Sequence, residues 1–428
     1  MSPTVTKEPA VPVLRFPAFS EEWEAATISA IADKITDGTH DTPKPTDEGI
    51  PYLTAIHVKD GFIDFENCYY LPEEEHRKIY ARCNPEYGDL LMVNIGAGTA
   101  TSAMVDVNYE FSLKNVALIK PDRDLVDPRF FTQFQRFHSA RLRHQLSSGG
   151  AQPFLSLRQI GKLKIEIAPL PEQRKIADFL TAVDGRIWQL IHMNVLLRDY
   201  KKGVMQQLFT QAIRFKDEHG NDFADWEEKR YDSVYSFKNT NSYSRDLLCY
   251  EGGEVRNIHY GDIHTKFKSN FVLQNELVPF IKPEVDLIRI SKECYCREGD
   301  LVIADASEDY NDIGKCIEIR DLGGERTLAG LHTFIARPKK DAIAQGFGGY
   351  LMQAREVRLK IMTIAQGAKV LGISKRQLCK VLLPIPSPDE QTKIAEFLTA
   401  IDHKIDSVAT QITEIQTFKK GLLQQMFV

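Results

Sequence analysis

The chain is 428 residues long, with 43% hydrophobic and 26% charged residues and a formal net charge of −5 at pH 7; that is too long for one ordinary core, so two domains are expected. No apolar run approaches the ~20 residues needed to span a bilayer, residues 1–13 lack the apolar centre of a secretory leader, and the seven cysteines include no Cys-x-x-Cys pair, which together point to reduced thiols in the cytoplasm. A negative total weighs against nucleic acid as partner, but only the distribution of charge along the chain can decide.

The first elements follow an N-terminal arm, 1–20, that carries Leu14-Arg15-Phe16 and leads to Trp23-Glu24. The pattern predicts a helix over 21–34, a turn-rich loop over 36–43, and strands at 52–57, 90–95 and 115–119. The turn Gly96-Ala97-Gly98-Thr99 lies between strands, a helix over 128–146 leads to Ser148-Gly149-Gly150, and 162–167 is a last strand. Pro169 and Pro171 then stop the strand and a long helix begins, with Glu172 in its first turn, where the helix dipole favours an acid. Its apolar residues Ile176, Leu180, Val183, Ile187, Leu190 and Leu197 keep the alternating spacing of four and three that marks a coiled-coil seam.

The outline then returns. Ile213-Arg214-Phe215 and Trp226-Glu227 repeat the arm, and Gly299-Asp300-Leu301-Val302 repeats Gly88-Asp89-Leu90-Leu91. A helix over 349–364, the turn Gln366-Gly367-Ala368 and a strand over 381–385 close the second globule. The last helix carries Ile394, Leu398, Ile401, Ile405, Ile412 and Ile415 in the same phase. Glu172-Gln173-Arg174-Lys175-Ile176-Ala177-Asp178-Phe179-Leu180 returns 218 residues later as Glu390-Gln391-Thr392-Lys393-Ile394-Ala395-Glu396-Phe397-Leu398, and at the same offset Lys201-Lys202-Gly203 returns as Lys419-Lys420-Gly421. A gap-free repeat of this kind implies two copies of one unit. The expected fold is α+β: two mixed α/β globules separated by a long antiparallel two-helix coiled coil, related by a pseudo-two-fold. The divisions are 1–171, 172–210, 211–389 and 390–428. Asn194, Lys201 and Lys419 fall on the seam, where polar residues fix register.

The positive charge is concentrated. Residues 129–165 hold seven Lys or Arg (Arg129, Arg136, Arg141, Arg143, Arg158, Lys162, Lys164) and no acid; residues 342–388 hold seven and one acid, Glu356. Matched basic stretches suit a phosphate backbone or an acidic protein partner. The phosphate-binding loop and the dinucleotide fingerprint are both missing. Asn84-Pro85-Glu86-Tyr87 reads as a turn, and His40 and His57 are lone histidines. Asp300, Asp305, Glu308 and Asp309 could hold a metal, lie exposed, or accept a hydrogen bond from cytosine N4 in a groove.

Two globules alternating with near-identical helices that open Pro169-Leu170-Pro171-Glu172-Gln173 and Pro386-Ser387-Pro388-Asp389-Glu390-Gln391 resemble the specificity subunit of Type I restriction–modification systems. So do Asp37-Gly38-Thr39-His40 with Thr42-Pro43, and Gly49-Ile50-Pro51-Tyr52-Leu53. The second globule departs from that pattern, with Lys238-Asn239-Thr240-Asn241 where the Gly-Thr-His loop would lie. The resemblance implies a non-catalytic, cytoplasmic DNA-recognition subunit whose globules are target-recognition domains. Its partners would be double-stranded DNA, two methyltransferase subunits and restriction/translocase subunits. S-adenosylmethionine, ATP and Mg would be bound by those partners, not by this chain. The expected DNA contacts are Thr39, His40, Thr42, Asn94, Thr99, Thr101, Arg141 and Arg143 in the first globule, and Asn239, Asn241, Arg256, His259, Arg355 and Arg358 in the second. A scaffold that binds only proteins is the alternative, with a metal nuclease using the 300–309 acids behind it.

Overall fold

A computed structural model of the chain describes residues 11–147 and 153–427; residues 1–10 of the arm and the expected Ser148-Gly149-Gly150 turn lie outside the described residues. The chain divides into two compact units, Met1–Ile191 with Thr410–Val428, and His192–Ala409. In the first unit the order is β1 (Glu24–Thr27), β2 (Ala32–Asp37), β3 (Ile50–Thr54), β4 (Tyr69–Leu71), α1 (Glu73–Cys83), β5 (Leu90–Met92), β6 (Ser102–Met104), β7 (Ser112–Lys114), β8 (Ala117–Pro121), α2 (Pro128–Ser147), α3 (Leu157–Gly161) and β9 (Lys164–Ile167). Strands β2-β8-β5-β6 form an antiparallel sheet, β4-β3-β7 a second sheet with β3 and β7 parallel, and β1 pairs with β9.

Helix α4 (Leu170–Phe209) follows. Next come β10 (Glu227–Arg230), α5 (Tyr231–Val234), β11 (Tyr235–Lys238), β12 (Leu248–Cys249), β13 (Arg256–Ile258), α6 (Tyr260–Thr265), β14 (Asn270–Val272), β15 (Phe280–Ile281), β16 (Leu301–Ala304), β17 (Ala306–Ser307), β18 (Cys316–Asp321), β19 (Thr327–Ala329) and β20 (Thr333–Pro338). The chain ends with α7 (Phe347–Gln353), α8 (Arg355–Thr363), β21 (Leu371–Gly372), α9 (Lys375–Leu378), β22 (Leu382–Ile385) and α10 (Pro388–Met426). The sheet β11-β20-β16-β18-β14 repeats the first unit's main sheet with one added edge strand, β13 and β19 repeat the parallel pair, and β10 pairs with β22 as β1 does with β9.

Two expected helices are corrected. Residues 21–34 form β1, a single 3₁₀ turn at Ile28–Ala30 and the start of β2. Ile28 and Ile31 are fully buried as expected of an apolar face, but Glu24 to Thr27 pair with Ile167 to Lys164, 137 or more residues away; a long-range ladder overrides a local helical pattern. The helix over 349–364 is two helices broken at Ala354, whose ψ of 134° is extended. Asn84 adopts φ 32° and caps α1, which makes Asn84-Pro85-Glu86-Tyr87 a turn.

The long helices enter the cores of both units. Ile176, Leu180 and Val183 are buried with Leu422 and Met426 in a core that also holds Trp23, Ile28, Phe130 and Phe134; Ile187 and Ile415 pack against it, and Leu190 is buried further along the helix. In the second unit Ile394, Leu398, Ile401 and Ile405 are buried with Val204 and Leu208 beside Tyr231, Phe347 and Tyr350, and Leu197 packs against them; Ile412 is half-buried. In that unit the segments run antiparallel: Asn194 Nδ2 donates to the Ile405 carbonyl at 3.2 Å and Lys201 Nζ to Asp402 at 2.6 Å. Lys419 Nζ donates to Asp184 at 2.6 Å in the first unit, which is the same pair displaced by 218.

Each unit also holds one buried glutamate at the start of its long helix. Arg15 forks onto Glu172 with two bonds of 2.7 Å, and Trp23 Nε1 donates to the same carboxylate at 3.2 Å. Arg214 forks onto Glu390 at 3.1 and 2.8 Å, with Trp226 Nε1 at 3.0 Å. These clusters are why the Arg-Phe arm and the Trp-Glu step recur in the sequence.

Candidate nucleic-acid interface

Strand pairing brings the loops of each unit to one end of its main sheet. In the first unit Asp37, the end of β2, and Met92, the end of β5, both face Ala117 at the start of β8. Loops 38–45, 93–101 and 115–116 therefore leave the sheet at that end. In the second unit Lys238 faces Ile335 and Ala304 faces Thr333, so loops 239–247, 305–315 and 330–332 do the same. The Asn94 carbonyl accepts from Leu155 N–H at 2.8 Å, and the Asp305 carbonyl from Ile373 N–H at 2.9 Å. That contact brings the segment after α2 or α8 to the same edge.

The loop at 38–42 is tightly drawn in. A Cβ on Gly38 would lie 2.1 Å from the Leu113 carbonyl, so only glycine fits. Thr39 is buried, its N–H bonded to Leu113 O at 2.8 Å and its Oγ1 accepting from Asp41 N–H at 3.1 Å. His40 is exposed and held by Asn115 Oδ1 at 2.9 Å on Nδ1 and by Asp37 at 3.1 Å on Nε2. Lys114 Nζ donates to Thr42 Oγ1. Thr99 is buried and closes its turn onto the carbonyls of Gly96 and Pro153 at 2.6 and 3.1 Å. Asn94 is buried, and its Oδ1 has no partner among the described residues. Arg143 Nη1 donates to Thr101 Oγ1 at 3.3 Å, and Arg141 is exposed on α2.

The second unit places its expected contacts less uniformly. Asn239 is exposed at the loop end. Asn241 Nδ2 donates to Asn257 Oδ1 at 2.7 Å, and its N–H to the Ala329 carbonyl at 3.0 Å. His259 follows β13 and caps α6, its Nδ1 accepting from Gly261 N–H at 3.1 Å. Burial and the neighbouring Arg245 push this imidazole below its ordinary pKa, which suits Nδ1 to accept at neutral pH. Arg256 sits at the other end of β13, forked onto Glu325, donating to the Val278 carbonyl at 2.8 Å and lying 3.6 Å over the Phe280 ring. Arg358 is half-buried and donates to the carbonyls of Asn311 and Ile313 at 2.9 and 2.7 Å, so it braces the loop from behind. Arg355 is exposed on a cleft of about 1240 Å³ that is also lined by Lys201, Asn270 and Asp402. The sheet topology brings Thr39, His40, Thr42, Asn94, Thr99 and Thr101 together in one unit and Asn239, Asn241 and His259 in the other, and leaves Arg256 and Arg355 away from them.

The basic stretches are less positive in space than in sequence. Arg129 pairs with Asp127 and Asp178, Arg136 with Asp60 and Asp184, and Lys360 with Glu228. Arg141, Arg158, Lys162, Lys164, Arg355, Lys369, Lys375, Arg376 and Lys380 remain exposed. The 300–309 acids do not form one group: Asp300 is fully buried at the start of β16 under Arg337, while Asp305 follows the strand's far end. Among the described residues no three His, Cys, Asp or Glu side chains gather as a metal site.

Three residues at the loop end, Lys114, Asn115 and His332, escaped the sequence reading as contacts, whereas Asp305 stood there as one of four acids able to hold a metal, lie exposed or accept from cytosine N4. Asn115 and His332 occupy equivalent turns at φ 52° and 55°. Both are residue types enriched in the left-handed region, so the turns themselves are compatible with their sequences.

The model of the Type I restriction modification DNA specificity domain matches twice, over residues 20–194 and 224–417, one copy for each unit. The chain belongs to that family. It is a specificity subunit with two target-recognition domains, and such subunits are the non-catalytic, DNA-recognising part of a restriction–modification complex. It is 24% identical over 422 residues to a putative type I restriction enzyme specificity subunit of Methanocaldococcus jannaschii, covering 94% of this chain and 92% of that protein. A second specificity subunit of that organism is 25% identical over 301 residues, 67% of each chain. The fold is similar to the crystal structure of a Type I S subunit from M. genitalium, with TM-score 0.60 and 14% identity over 98% of this chain and 99% of that one. It is also similar to a chain from a study of type I complex assembly, with TM-score 0.56 and 16% identity over 95% and 97%.

Proposed function

We propose that each unit reads one half of a split DNA target through the loop-bearing end of its main sheet, and that α4 and α10 hold the two readers apart. The observation that carries this reading is one backbone presenting two chemistries. The equivalent loops carry His40, Thr42, Lys114 and Asn115 in one unit and Asn239, Asn241, Asp305 and His332 in the other. A shared scaffold with unlike side chains suits an asymmetric bipartite sequence, because base identity is read by groups at the groove edge while phosphate contacts only position the protein. The domain divisions 1–171, 172–210, 211–389 and 390–428 follow from this reading.

The complex would comprise duplex DNA, two methyltransferase subunits and restriction/translocase subunits in the cytoplasm, with S-adenosylmethionine, ATP and Mg held by the partners. Among the described residues no helix is long and apolar enough to cross a membrane. Methylated-adenine mapping of DNA modified by the complex should give a split motif. Four residues inserted midway into both long helices add ~6 Å and should lengthen the unread spacer by one or two base pairs; an unchanged spacer rejects the strut. Arg143→Ala should weaken duplex binding across all sequences and lower the salt slope by about one, as loss of a single phosphate contact does. A change of preferred base instead would make Arg143 a base reader.

A further inference from the structure

Asp305 and Asn94 hold the same place on the two scaffolds, since their carbonyls accept from Ile373 and Leu155, which are themselves 218 residues apart. Asp305 is fastened by its backbone, its N–H donating to the His332 carbonyl at 3.0 Å. The side chain is therefore not needed to close the turn. Its carboxylate is 23% exposed, and among the described residues its ion-pair partner is His332, at 3.3 Å on Nδ1. His332 is half-exposed and lies edge-on to Tyr260, with ring centres 5.3 Å apart. Burial pushes the Asp305 carboxyl upward from its ordinary pKa. A partly desolvated carboxylate with no Lys or Arg paired to it among the described residues is an unbalanced group, and it lies at the loop-bearing end of the sheet. An ionised carboxylate only accepts hydrogen bonds. In the major groove the donors are the exocyclic amines of cytosine and adenine, whereas guanine O6 and N7 and thymine O4 are acceptors that would repel it.

We infer that Asp305, oriented by His332, is a specificity-determining residue of the second unit that selects a cytosine or adenine amine at one position of its half-site. This rests on the loop end being the DNA-reading surface. Asp305→Asn keeps the shape and adds a donor, so it should accept guanine or thymine at that position: a gain of methylation at sites the parent rejects, where damage to the fold could only lose activity. His332→Gln tests the orienting contact.

The experiment is methylated-adenine mapping of DNA modified by the complex built on the parent chain, on Asp305→Asn and on His332→Gln, with thermal melting of each. The expected result is an unchanged first half-site and spacer, and a fall of about tenfold or more in preference at one second-half position, which reads adenine or cytosine in the parent. For His332→Gln the same position should relax to a smaller degree. Unaltered preference in Asp305→Asn, or equal weakening at every position, overturns the assignment of Asp305 while the wild-type motif stands. A parent complex that shows no split motif overturns the reading of the loop end itself.

Discussion

Arg214→Ala is expected to destabilise the second unit by about 3–5 kcal/mol, because it strands a carboxylate that has no route to water. The Glu390 side chain is 1% exposed, and three of its contacts come from two side chains: the Arg214 fork and Trp226 Nε1. Arg214 also donates to the carbonyls of Phe223 and Ala224 at 3.2 and 2.6 Å, so the variant unties the arm from the helix start as well. Trp226 alone cannot balance a buried charge. For a unit of this size, about 3 kcal/mol lowers the melting midpoint by about 10 °C. Denaturant unfolding gives the magnitude, and hydrogen exchange of β10 and the first turns of α10 gives the location. The paired variant Arg214→Leu with Glu390→Met should recover most of the loss, since replacing both members of a buried pair by apolar groups is close to neutral. If the single variant loses less than about 1 kcal/mol, in the range of exposed ion pairs, the cluster is solvated and does not hold the arm. Arg15→Ala should act alike in the first unit, where the Glu172 side chain is fully buried.

These clusters show what could be read from the amino-acid order. The 218-residue repeat displayed Arg15, Trp23 and Glu172 together with Arg214, Trp226 and Glu390, because a buried contact set that is used twice must be written twice. The long helices were legible for the same reason: their apolar spacing is local. The sheets were less so. Glu24 to Thr27 carry helical spacing, and only their partners Ile167 to Lys164 make them a strand. The reading edge was legible in part. Thr39, His40 and Thr42 stood out through the Gly-Thr-His loop, but Lys114, Asn115 and His332 come to that edge only by strand register, which single-chain patterning does not encode. The basic stretches misled in the opposite way: Arg136 lies in an acid-free run of sequence yet pairs with Asp60 and Asp184, and Arg129 at the edge of that run pairs with Asp127 and Asp178.

The second large effect is expected at the seam. Lys419 Nζ lies 2.6 and 2.8 Å from the two oxygens of Asp184, which also accepts from Gln133 at 2.7 Å and Arg136 at 3.3 Å. The Lys419 side chain is 8% exposed. Asp184→Ala therefore leaves a buried ammonium beside Arg136, with an expected loss of about 3 kcal/mol in the first unit. Burial would raise the Asp184 carboxyl, but the charge and hydrogen bond of Lys419, with Gln133 and Arg136, outweigh it and hold the group below its ordinary value. Its stabilisation is thus complete above the unfolded carboxylate value of ~3.9 and is lost as pH falls through the lower folded one. The stability difference between parent and Asp184→Asn should shrink over that acid window and stay level from pH 5 to 8. In the second unit Asp402 repeats the arrangement, bonded to Lys201 at 2.6 Å and to Tyr350 at 2.7 Å. Each aspartate thereby joins both long helices to the globule of its own unit. A loss of register should consequently be felt one half-site at a time: Asp184→Ala should blur the sequence preference of the first half, Asp402→Ala that of the second. Mapping of methylated sites decides this, and blurring of both halves by either variant would mean that the helix pair yields as one body.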